Sequence, residues 1–318
     1  MQDVLDELTS LNNIPLEKQT PFNARQLPTA ADAVLSLLSK RGKPAQEAVL
    51  GVEHRLIPTS DGDLVARVYT PKGKAPLPVL VYFHGGGWVI ANLNTYDASC
   101  RALANAAKSI VVSVAYRQAP ENPFPAAADD AYNSFQYVAQ NASLFNGDPD
   151  RVAVVGESAG GNLAAVTALL ARDQNGILPV HQLLVYPITN YNFDTESYQK
   201  YATAKPLNKP LMQYFWANYL ADPGLGADPS ASPLQATDLS GLPPATVIAA
   251  EVDPLRSEGK AYADALKKAG VDVSYNLYKG VAHEFFGMGA VVDKAQDAVN
   301  RASDRLLQSF QEAGTPTP

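Results

Sequence analysis

Over residues 1 to about 45 apolar and polar positions alternate at helical spacing, with Leu35, Leu37 and Leu38 in one such stretch and no strand-like run. The pattern predicts two helices. From Val52 the period shortens to β-branched runs at Val52–Ile57, Leu64–Tyr69 and Val79–Phe83, with Thr59-Ser60-Asp61-Gly62-Asp63 as a turn between the first two. Apolar strands and helical stretches then alternate: strand Ile110–Val114, helix Ala126–Gln140, strand Val152–Val155, a helix from about Gly160, and strand Leu183–Tyr186. Such alternation requires crossovers and gives a parallel sheet covered on both faces. Between about Pro187 and Gly241 it breaks down, and Tyr191, Phe193, Tyr198, Tyr201, Tyr214, Phe215, Trp216 and Tyr219 crowd a segment punctuated by Pro and Gly. This reads as an insertion. The alternation resumes with strand Ala245–Ala250, helix Ser257–Ala269, strand Val273–Tyr278 and a last helix from about Asp293 to Gln311. The expected division is 1–45 as N-terminal cap helices, 46–187 and 242–318 as two parts of an α/β core, and 188–241 as a cap insertion.

Composition narrows the class. With 318 residues, 46% of them hydrophobic and 18% charged, the chain can bury a large core. No apolar run approaches the roughly 18 residues of a membrane span. A net charge of -7 without a basic cluster argues against nucleic acid as partner. The acidic start Met1-Gln2-Asp3-Val4 lacks the features of a signal peptide, and Cys100 is the only cysteine, so a cytoplasmic location is expected. Asn141-Ala142-Ser143 reads as a helix end in a surface loop rather than a glycosylation site.

Two glycine motifs carry chemistry. Gly156-Glu157-Ser158-Ala159-Gly160 lies between a strand and a helix rich in small residues. G-x-S-x-G alone arises by chance in about one chain in ten of this length, so its placement matters more than its pattern. At a sharp strand-to-helix turn the serine is held in a strained conformation with its hydroxyl exposed, and flanking glycines avoid clashes. His84-Gly85-Gly86-Gly87-Trp88 directly follows an apolar strand. Backbone N–H groups there, with that of Ala159, fit an oxyanion hole, Gly86 and Gly87 as donors and Gly85 as a further contributor.

Ser158 needs a base near neutrality, and the chain has four histidines. His54 lies in an early strand and reads as surface, His84 as a brace for the glycine loop, and His181, beside Pro179, as solvated. His283, in a loop after the last strand, remains as the base. The acid that orients it should fall between Ser158 and His283 in sequence. Asp253, a short turn beyond strand Ala245–Ala250, fits best; Glu251 is the alternative, while Asp238 lies in the insertion and Asp264 within a helix.

Taken together, His84-Gly85-Gly86-Gly87-Trp88, Tyr116-Arg117-Gln118-Ala119-Pro120-Glu121, Phe124-Pro125-Ala126-Ala127, Gly156-Glu157-Ser158-Ala159-Gly160-Gly161, Asp253-Pro254-Leu255 and His283 resemble, in content and order, the hormone-sensitive-lipase-like (family IV) bacterial esterases. The resemblance covers most of the chain from Val52 onward. It implies an α/β-hydrolase fold, an eight-stranded, mostly parallel sheet under a helical cap, and hydrolysis of short- to medium-chain esters of small molecules through an acyl-enzyme, without metal or organic cofactor. Glu157 stands where many members carry Asp, Gln118 where Leu is usual, Asn122 where His is common and Ser257 where an acid often follows. Trp88, Phe285, Tyr191 and Phe215 are the expected lining of the acyl pocket. The rival readings are a catalytically silent ligand-binding member, which the retained His283 disfavours, and a peptidase of the same fold, which usually needs a further large domain. A homodimer through an exposed sheet edge is left open, and no membrane insertion is expected.

Overall fold

A computed structural model describes residues 1–314. Its strands are β1 (Gly51–Ile57), β2 (Leu64–Thr70), β3 (Leu77–Phe83), β4 (Ile110–Val114), β5 (Gly147–Glu157), β6 (Gln182–Val185), β7 (Ala245–Val252) and β8 (Val273–Ala282). They form one eight-stranded sheet in the order β1-β2-β4-β3-β5-β6-β7-β8. β1 pairs antiparallel with β2 and β2 with β4; every later pairing is parallel. The mostly parallel sheet expected from the alternation is therefore present, with the eight strands that the resemblance to α/β-hydrolases implies. Every residue of β3 from Pro78 to Phe83 is buried, because Val79, Val81 and Phe83 enter one apolar layer and Leu80 and Tyr82 the other. A strand covered on both faces reads as a continuous apolar run for this reason.

The helices are α1 (Gln2–Leu11), α2 (Pro21–Ala24), α3 (Ala30–Lys40), α4 (Asp97–Ala106), α5 (Ala126–Gln140), α6 (Ala159–Asp173), α7 (Glu196–Lys200), α8 (Lys209–Tyr219), α9 (Arg256–Lys268) and α10 (Asp293–Ala313). Residues of α5, α6, α8 and α9 share the first apolar layer, and those of α3, α4 and α10 the second. The first 45 residues hold three helices, not two. Thr20 caps α2, which has Pro21 in its first turn, and Thr29 with Asp32 forms a reciprocal capping box on α3. These caps divide what the apolar period alone runs together. α4 went unpredicted, because its inward face is mostly small: Ser99, Cys100, Leu103 and Ala104. The segment 188–241 contributes α7, α8 and two short 3-10 turns, Pro223–Ala227 and Pro233–Gln235.

Arg25, between α2 and α3, ties the N-terminal segment to the core. Its guanidinium donates to the carbonyls of Val89 and Ala119 and to both carboxylate oxygens of Glu121. Among the described residues no helix is long and apolar enough to cross a membrane.

Candidate active site

Ser158 follows β5 and opens α6, Asp253 follows β7 and His283 follows β8, so all three stand at C-terminal strand ends, where open α/β sheets form their sites. Ser158 adopts φ 56° and ψ −117°, a region that disfavours a side chain. The turn is tight enough that a Cβ at Gly156 would lie 2.0 Å from the Gly160 carbonyl oxygen, and one at Gly160 1.9 Å from that of Phe83. Only glycine fits at either place. The strained serine is held by its own backbone: its N–H donates to Val185 and its carbonyl accepts from Asn162 and Ile188.

The His283 Nε2 lies 2.9 Å from Ser158 Oγ, and Nδ1 lies 2.7 Å from Asp253 Oδ2. The other Asp253 oxygen accepts the Leu255 N–H. Nδ1 therefore carries the proton toward the carboxylate, which leaves Nε2 able to accept from the serine hydroxyl. Glu251, the alternative acid, accepts the Gly280 N–H instead. Ser158, Asp253 and His283 are all buried. Burial pulls the imidazole pKa down, but the Asp253 charge and hydrogen bond, with Glu284 and Glu157, outweigh it and leave His283 above its ordinary value.

Gly86 and Gly87 face the same cavity as Ser158, whereas Gly85 is covered by Tyr96, whose hydroxyl would lie 2.2 Å from a Cβ placed there. Among the described residues no acceptor is bound to the N–H groups of Gly86, Gly87 or Ala159. Gly86 has φ 102°, and its carbonyl is turned away to accept from Val89 and Ile90. His84 braces the loop as expected: Nδ1 donates to the Gly85 carbonyl at 2.7 Å, and the ring stacks on Tyr116 at 4.4 Å. The Tyr116 hydroxyl donates to the His84 carbonyl.

The cavity over Ser158 measures about 300 Å³ and is walled by α1 and the loop after it, through Leu5, Leu8 and Ile14, and by the α8 region, through Leu207, Leu211 and Phe215. Of the four aromatics expected in the acyl pocket only Phe215 lines it. Trp88 points the other way, fully buried and stacked on Tyr219 with centroids 4.0 Å apart. Tyr191 packs against Trp216 and Phe193, and Phe285 lies in the opposite apolar layer beside Tyr186 and Tyr278. The sequence marks these rings as apolar and near the motifs, but residue type does not encode which way a ring points. His181 also differs from expectation. It is buried between Ser309 and Thr246, each hydroxyl 2.9 Å from one ring nitrogen, and burial lowers its pKa to about 3. His54 is at the surface as expected, accepting from Arg67.

The contacts of two acids and three phenols beside the site were not anticipated. Glu157 is buried behind Ser158 and accepts from the Tyr82 and Tyr186 hydroxyls; burial raises its pKa to about 7. Tyr186 also lies 4.5 Å from the His283 ring. Tyr96 donates to the carboxylate of Glu284, next in the chain to His283. Only its adjacency to His283 marked Glu284 in the sequence.

A family model for the alpha/beta hydrolase fold matches residues 80–287. The chain belongs to that family. Among relatives in the alpha/beta hydrolase fold family, carboxylesterase NlhH of Mycobacterium tuberculosis is 41% identical over 89% of this chain and 91% of its own. The ethyl acetate hydrolase of Pseudomonas putida is 36% identical over 79% of this chain and 80% of its own. The solved structure of a hyperthermophilic esterase from the archaeon Pyrobaculum calidifontis superimposes with a TM-score of 0.86 at 38% identity, covering 95% of this chain and 96% of that one. The resemblance to hormone-sensitive-lipase-like esterases, carried by the sequence blocks, is borne out.

Proposed function

We propose that this carboxylic ester hydrolase works through Ser158 as nucleophile, His283 as general base and Asp253 as the group that orients the imidazole. One observation carries the reading: a continuous chain of two hydrogen bonds, 2.7 and 2.9 Å long, from a buried carboxylate to a strained serine hydroxyl on the floor of a cavity. Ser158 Oγ attacks the ester carbonyl carbon while its proton passes to Nε2. The oxyanion takes hydrogen bonds from the unpaired amides of Gly86, Gly87 and Ala159, with Gly85 held behind them. The imidazolium then protonates the departing alkoxide, leaving an acyl-serine, and water activated by the same nitrogen releases the acid.

The cavity of about 300 Å³, apolar along Leu5, Leu8, Leu211 and Phe215, suits small esters with short to medium acyl chains. Segments 1–45 and 188–241 act in this reading as the cap over the core segments 46–187 and 242–318, supported by their joint walls around Ser158. The lone, buried thiol of Cys100 supports a cytoplasmic location. The sheet ends in β1 and β8, either of which offers an edge to a second copy. The test is the initial hydrolysis rate on p-nitrophenyl esters from acetyl to palmitoyl, for wild type and Ser158→Ala. A serine-dependent optimum at short chains is expected; turnover retained in Ser158→Ala, or rates rising up to palmitoyl, would overturn the reading.

A further inference from the structure

Glu284 has φ 70°, a backbone conformation that costs a side-chain-bearing residue and suits glycine. Such strain in a residue next to the base calls for a reason. Its carboxylate points at the cavity that contains Ser158, with Oε1 3.8 Å from His283 Nε2, and both oxygens accept from the Tyr96 hydroxyl, at 2.8 and 2.9 Å. The His283 ring thus has a carboxylate at each nitrogen: Asp253 against Nδ1, and Glu284 to the side of Nε2, where the positive charge forms as Ser158 attacks. Tyr96 stands at the start of α4, so the second carboxylate is positioned by an element 188 residues away in the sequence.

We propose that Glu284, held by Tyr96, is a positioning residue that favours the protonated form of His283 in addition to Asp253. This rests on the triad reading above. The groups that face the imidazole are Asp253 from the end of β7, Ser158 and Glu157 from the elbow, Tyr186 from the end of β6, and Glu284 itself. Glu284 is faced by Tyr96, His283, Glu157 and Asp253. A negative charge about 4 Å from a partly desolvated imidazolium raises its pKa, since an opposite charge within that range moves a titration by about one unit or more. Because the base must be neutral to accept the serine proton, removal of that charge lowers the pKa of His283, and the acid limb of kcat/KM moves to lower pH.

The experiment compares the pH profile of kcat/KM for wild type, Glu284→Gln, Glu284→Gly and Tyr96→Phe on a neutral p-nitrophenyl ester. It also follows the His283 Nδ1–H proton resonance with pH, which reads the imidazole itself rather than Glu157. Both Glu284 variants should move the acid limb and the imidazole titration down together by about one pH unit, with plateau kcat reduced about threefold to tenfold. Tyr96→Phe should shift them less in the same direction, because the carboxylate is then less readily ionised. Glu284→Gly, relieved of the strained backbone, should melt no lower than wild type, which separates lost charge from lost structure. An imidazole titration unmoved in both Glu284 variants would overturn the proposal. Absence of any acid limb, or activity surviving in His283→Asn, would instead overturn the triad on which it rests.

Discussion

At the scale of single residues, the serine and its two partners were legible because each requirement leaves a mark. A strained nucleophile needs Gly156 and Gly160 beside it, and the acid and base must follow at strand ends in a fixed order. Neighbours that act through space leave almost none: Tyr186 packs on His283 from the end of β6, and Tyr96 holds Glu284, which only its adjacency to His283 marks. Asp253→Asn should keep the fold and lower kcat by about 10⁴-fold, since the amide no longer selects the Nδ1-protonated tautomer; steady-state kinetics on a short ester reads this directly. His181 makes a residue-scale prediction about stability. Its folded pKa of about 3 lies below the unfolded value near 6.5, so the unfolded chain binds the extra proton between those pH values, and stability falls as pH drops through that window. Chemical denaturation of wild type and His181→Gln at pH 7 and pH 5 should show a smaller pH loss in the variant. An equal loss in both would assign the acid sensitivity elsewhere.

Elements were read well where a strand is buried on both faces and less well where small residues or caps decide. β3, β4 and β7 stand close to where the apolar runs place them. β5 begins at Gly147, five residues before the predicted Val152, because Leu77 pairs with Gly147 across an irregularity in the ladder that polar Asp148 and Asp150 conceal. α4 was missed for its small inward side chains, and the caps at Thr20 and Thr29 start separate helices, α2 and α3, so that three stand where two were expected. Where α6 crosses the end of β3, Gly160 leaves no room for a side chain. Gly160→Ala should push a methyl against the Phe83 carbonyl, only 1.9 Å from its ideal position, and overpacking of this kind typically costs about 1–3 kcal/mol. The expected result is a lowered melting temperature together with lost activity, because the Ala159 amide and the serine turn share that backbone.

At the scale of the whole molecule, the sheet and its order follow from the alternation of runs, while the cavity follows from how two distant segments meet. Residues of α1 and of the α8 region wall the space above Ser158, and Arg25 anchors the first of these to Glu121, Val89 and Ala119. The aromatic crowding between Tyr191 and Tyr219 announced an apolar lobe, yet Tyr191, Trp216 and Tyr219 pack on one another and on Trp88, and of the eight rings only Phe215 reaches the cavity. Phe215→Ala should therefore lengthen the preferred acyl chain, raising the ratio of kcat/KM for octanoyl over butanoyl esters. Loss of the buried ring should at the same time cost about 3–5 kcal/mol of stability. Trp88→Ala should destabilise the fold without that change in chain-length ratio. If the ratio moves with Trp88 and not with Phe215, the assignment of the cavity wall is wrong.

The central claim is that Ser158, activated by His283, forms the covalent intermediate. Intact-mass and peptide mass spectrometry after reaction with diethyl p-nitrophenyl phosphate tests it most directly. The account predicts one phosphoryl group per chain, located on Ser158, formed in step with loss of esterase activity, absent in Ser158→Ala and greatly slowed in His283→Asn. Full inactivation with the label on another residue, or labelling of Ser158 at the wild-type rate in His283→Asn, would contradict it.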